Sequence, residues 1–139
     1  MGNIFKQLKL FIEYIIVRFL FILLSLLPID LVSILGGFTF KLFGPLSRSH
    51  KIAKSNLEKI FYNLKEDDIK MKINKSWENL GKTIFELSIL EKLVNNDSKK
   101  ISPQGLENIK SIIENNEQVI FFSIHQSNWE ILVPIIDQL

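Results

Sequence analysis

The chain has 139 residues, 47% of them apolar, with positive mean hydropathy and no cysteine. It has the size of one ordinary domain, and disulfides and thiolate metal sites are excluded. A net charge of +2 carries no polyanion-binding signature, which argues against nucleic acid as a partner, and two histidines cannot build a His-rich metal centre.

The apolar excess is concentrated in residues 1–45, which are expected to form a membrane anchor. Leu8 to Leu27 is twenty residues long, about 30 Å as a helix, the thickness of a bilayer core. Arg18 falls inside this run, where burial in lipid would cost roughly 2.5–3.5 kcal/mol unless the side chain snorkels. Pro28 ends the helix, and Asp30 is placed to cap a second one reaching about Phe43. Ala53 is the only alanine, so no A-x-A cleavage site follows, and "MGNIFK" has Lys6 where a myristoylation signal needs Ser or Thr. Both spanning and interfacial placement remain open. Lys41, Arg48, Lys51, Lys54 and Lys59 follow the apolar run, against Lys6 and Lys9 near its start. The positive-inside bias therefore places the body in the cytoplasm.

Residues 46–98 read as an amphipathic helical segment. A short helix carries Ile52, Leu57, Ile60, Phe61 and Leu64. A longer one follows the acids of "KEDD", with a stripe of Ile69, Ile73, Trp77, Leu80, Ile84, Leu87, Leu90 and Val94 in steps of three and four. "NNDSKK" breaks it.

From residue 99 the pattern changes. "KKIS" is expected as a short strand, and Ser102-Pro103 open a helix carrying Leu106, Ile109, Ile112 and Ile113. Asn115-Asn116 make a turn, and "VIFFSI" reads as a buried strand. Ser127 or Asn128 then caps a last helix. The expected class is α/β, with βαβα elements beginning near residue 99.

His125 would stand at the carboxyl end of that strand, where open α/β sheets place their ligands, with Glu130 in the first turn of the next helix. A carboxylate that accepts from Nδ1–H leaves Nε2 free to take a proton from a hydroxyl. The spacing alone leaves a second reading open, in which His125 is the polar end of a buried strand and Glu130 a first-turn acid favoured by the helix dipole.

The block "HQSNWE" resembles the H-x4-[DE] block of glycerolipid-type acyltransferases, and its N-W-E ending is similar to the lipid A biosynthesis (lauroyl/myristoyl) acyltransferases. The resemblance extends to "RSHKIAKSNLEKIF", to "SWENLGKTIFELSIL" with its G-x-x-x-x-E element, and to "GLENIKSIIENNEQVIFFSIH", so that all of residues 1–139 align in order. It implies an enzyme of the inner membrane, facing the cytoplasm, that moves a fatty acyl group from acyl carrier protein to a hydroxyl of a lipid A precursor. His125 and Glu130 would be the catalytic pair, with Ser127 and Asn128 as substrate-contacting positions. No metal or dissociable cofactor is implied, acyl-acyl carrier protein being a co-substrate. Ser127 stands where the family usually has glycine. "HQS" is similar instead to the N-H-x-S-x-x-D block of lysophosphatidic acid acyltransferases, with Ile124 and Glu130 in place of their asparagine and aspartate. A 1-acylglycerol-phosphate-type acyltransferase is therefore the second enzymatic reading. Family members run to about twice this length, so a truncated acyltransferase core is expected over residues 99–139. Activity would then need a separate polypeptide supplying the remainder, and an inactive membrane-anchored remnant is the non-enzymatic alternative.

Overall fold

A computed structural model describes residues 2–95, 100–124 and 128–137. The chain opens with α1 (Gly2–Ser25), a single uninterrupted helix that begins earlier than the apolar run suggested. Its apolar side chains, from Ile4 and Phe5 to Ile22 and Leu23, are exposed on every face, and Arg18 is exposed midway along it. A helix apolar all round finds no stable place in water. Among the described residues its carboxyl end is tied down. It meets the Leu87–Ile89 turn, and Lys92 Nζ donates to the Ser25 carbonyl.

Pro28 occupies the N-cap of α2 (Ile29–Phe43). Asp30 lies in the first turn and provides no capping bond, its carboxylate accepting from Lys100 Nζ at 2.5 Å instead. After a tight turn at Gly44–Leu46, Ser47 caps α3 (Arg48–Ile60) by accepting from the His50 backbone N–H at 3.3 Å. The stripe expected on α3 is not covered, since none of its residues is buried and Ile52 and Ile60 are exposed.

Glu66, Asp67 and Asp68 fill the first turn of α4 (Glu66–Glu86), where acids suit the positive end of the helix dipole. It runs antiparallel to α2, as the paired contacts Ser33–Glu86, Gly36–Gly81 and Gly44–Trp77 establish. The helices touch through backbone at one point. A Cβ added to Gly81 would lie 2.1 Å from the Gly36 carbonyl oxygen, and one added to Gly36 would lie 2.3 Å from that of Gly81. Only glycine at both positions permits this approach. Beside it Phe40 and Phe85 pack edge to face with centroids 6.4 Å apart.

The buried line of α4 follows Ile69, Ile73 and then Gly81, while Leu80 and Ile84 of the expected stripe are exposed. The long helix does not continue to Val94. It yields to a 3-10 turn (Leu87–Ile89) and a short α5 (Leu90–Val94). Val32, Ile89 and Leu93 form the core here, with Leu27, Ile29, Phe85 and Ile101 packed around them.

The helix after Ser102-Pro103 is α6 (Leu106–Glu114), entered through Gly105 in the left-handed region at φ 76°. It ends in a Schellman arrangement. Asn116, at φ 59°, donates to the Ile113 carbonyl, and Glu117 to that of Ile112, both at 3.0 Å. The Asn-Asn turn is thus where the sequence places it.

The α/β organisation is not observed: no β-strand occurs among the described residues. Residues 100–105 and 117–124 are irregular, and Ile120, Phe122 and Ile124 are 78%, 91% and 70% exposed. The physical reason is that a helix satisfies its own backbone whereas a strand must bond to a neighbour. Neither β-prone run has one among the described residues, so no ladder forms. The described fold is all-α.

Candidate functional site

His125 and Ser127 lie outside the described residues. Their neighbours Asn128 and Glu130 are described. Asn128 stands at the N-cap of a 3-10 turn (Trp129–Ile131), which continues into α7 (Leu132–Ile136), and Glu130 sits in the turn, partly buried.

Asn128 forms no capping bond with its side chain. Its Nδ2 donates instead to Glu86 Oε2 at 2.6 Å, reaching the last residue of α4. The other carboxylate oxygen of Glu86 accepts from Ser33 Oγ on α2 at 2.6 Å. One carboxylate thus joins three segments: α2, the end of α4, and the HQSNWE block. The chemistry fixes the orientation of the amide, because an ionised carboxylate has only acceptors and must face Nδ2 rather than Oδ1. Asn128 Oδ1 is left buried, with no partner among the described residues. Buried acceptors of this kind are uncommon.

Sequence reasoning singled out the G-x-x-x-x-E element, Gly81 to Glu86, without assigning it work, and it missed Ser33. The element joins the two contacts that organise this region. Gly81 lets α4 approach α2, and Glu86, five residues on, reaches Asn128.

An apolar groove of about 580 Å³ adjoins the block, lined by Phe121, Trp129, Leu132, Val133 and Ile136, with Ser123 and Asp137 at its polar edge. A smaller recess of about 320 Å³ lies between α3 and α4, lined by His50, Lys54, Glu66 and Lys70 among others. There Trp77 Nε1 donates to His50 Nδ1 at 3.0 Å. Indole is a donor only, so Nδ1 carries no proton and the ring's hydrogen sits on Nε2. Lys54, hydrogen-bonded to Glu66 at 3.3 Å with Glu58 also close, is held above its usual pKa. Glu78 is pulled below the ordinary carboxylate range, first by its bond from Lys82 at 2.6 Å and then by Lys75 at 3.3 Å.

Residues 3–139 match the family model described as bacterial lipid A biosynthesis acyltransferase. No curated protein and no solved structure matches the chain. A match running from the apolar first helix through the Gly81–Glu86 element and the HQSNWE block to residue 139 leaves almost no residue outside it, and the chain belongs to the bacterial lipid A biosynthesis acyltransferase family.

Proposed function

We propose that the chain serves a reaction in which a fatty acyl group passes from acyl carrier protein to a hydroxyl of a lipid A precursor, at the cytoplasmic face of the inner membrane. The observation that carries this reading is the family match over residues 3–139 together with the H-x4-E block inside it. His125 is the general base and Glu130 the carboxylate that orients it. Nε2 takes the acceptor's proton as its oxygen attacks the thioester carbonyl. The carbon–sulfur bond then breaks, and the carrier's thiolate leaves with the proton held by the imidazolium. No nucleophile from the protein is needed. The groove beside Trp129 has the apolar lining an acyl chain requires.

The membrane placement draws on α1, whose exposed apolar faces suit lipid, and on Ile29–Leu46, the one helical segment among the described residues long and apolar enough to cross a membrane by length and composition. The basic residues after the apolar run favour a body on the cytoplasmic side. The exposed apolar run Val119–Ile124 is a surface that the rest of an acyltransferase core would cover.

The test uses membranes from cells that express the chain and lack their own late acyltransferases. They are supplied with labelled acyl-acyl carrier protein and either a lipid A precursor or lysophosphatidic acid. Transfer to the lipid A precursor is expected, falling on the order of 10²–10⁴-fold in His125→Ala. Transfer to lysophosphatidic acid instead would move the chain to the phospholipid reaction. No transfer above control membranes would leave the inactive reading.

A further inference from the structure

Glu86 is not used in the mechanism above, yet it makes two short hydrogen bonds across long stretches of chain. Ser33 lies 53 residues before it and Asn128 lies 42 after it, each contact at 2.6 Å between partly buried side chains. A tie between α2 and α4 would need only Ser33. The second contact reaches a residue three after His125 and two before Glu130.

We infer that Glu86 is a positioning residue, which holds the Asn128 amide in one of its two orientations and thereby sets which polar atom Asn128 presents toward the reaction. This rests on the reaction proposed above only for its kinetic consequence. The physical argument is that a primary amide is nearly symmetric in shape but not in hydrogen bonding. Packing alone cannot choose between Nδ2 and Oδ1, whereas a carboxylate on one side can. With Nδ2 committed to Glu86, Oδ1 is the end left over, and it is buried with its accepting capacity unused among the described residues. Such an atom is ready to receive an N–H or O–H group of a neighbouring catalytic residue or of bound substrate. Ser33 occupies the other oxygen of Glu86, so the carboxylate is fixed from the α2 side.

Glu86→Gln separates orientation from packing. Glutamine keeps the shape but can present its own N–H to Asn128, which lets the amide turn over and offer a donor where Oδ1 had been. The full chain in detergent micelles, labelled with ¹⁵N-asparagine, gives a readout independent of turnover. The Asn128 side-chain amide signals, assigned by their loss in Asn128→Ala, are expected downfield in the unaltered chain and shifted in Glu86→Gln. In the membrane assay, kcat is expected to fall on the order of 10–100-fold with KM within about twofold, as misplacement of a reacting group does. Glu86→Asp, which retains the charge, is expected to recover part of the loss. Unchanged Asn128 signals in Glu86→Gln would overturn the inference, as would an unaltered kcat. Shifted signals in a preparation that catalyses no transfer would uphold the contact and count against the reaction instead.

Discussion

Glu78 lies on α4 between Lys75 and Lys82, its side chain 24% exposed, and both lysines donate to the same oxygen. Its pKa is therefore lower in the folded chain than the ordinary 4.5. Linkage gives the sign: the stabilisation is fully present above about pH 4.5 and is lost as the pH falls through the depressed folded value. The urea midpoint is expected to drop between pH 7 and pH 3 by more in the unaltered chain than in Glu78→Gln, and added salt should narrow the gap. Residue identities foretold part of this scale. The acids opening α4 and the Asn116 turn were legible because helix ends and left-handed turns depend on local chemistry. Trp77, expected in the buried stripe, is half-buried against Gly44, and its bond to His50 was not legible, because that pairing is created by the crossing of two helices. Glu86 was hidden for the same reason. It meets Ser33 and Asn128 only once α2, α4 and the final turn are assembled.

At the scale of elements, the α2–α4 contact has a point where backbone meets backbone and no side chain fits. Gly81→Ala would place a methyl group against the Gly36 carbonyl, which is backbone and cannot turn aside. Overpacking of this kind costs roughly 1–3 kcal/mol or forces the helices apart. Denaturant unfolding is expected to register the loss, with Gly36→Ala similar. Leu80→Ala, at an exposed position, should cost far less. The sequence stripe named Leu80 and Ile84 because hydrophobic periodicity registers only large apolar residues. The close contact is made by the residue with no side chain at all. The expected strands failed for a complementary reason. "VIFFSI" has strand composition, but β structure is a property of pairs, and among the described residues nothing lies beside it to complete one.

For the whole molecule, the absence of cysteine makes topology directly testable. A single cysteine at the exposed Lys59 on α3 should react with a membrane-impermeant maleimide in inverted inner-membrane vesicles and stay unreactive in intact cells. Labelling in intact cells, with the outer membrane permeabilised, would place the body on the other side.

The antiparallel pairing of α2 with α4 bears on which helix can enter lipid. Judged alone, Ile29–Leu46 could traverse a bilayer. It is not alone, because the facing stretch of α4 brings Glu78, Lys82 and Glu86 with it. Submerging that pair intact would drag three ionic groups into oil at roughly 2.5–3.5 kcal/mol apiece. A pair kept intact would rest more cheaply at the headgroups, with the exposed Ile34, Phe38 and Leu42 turned toward the acyl chains.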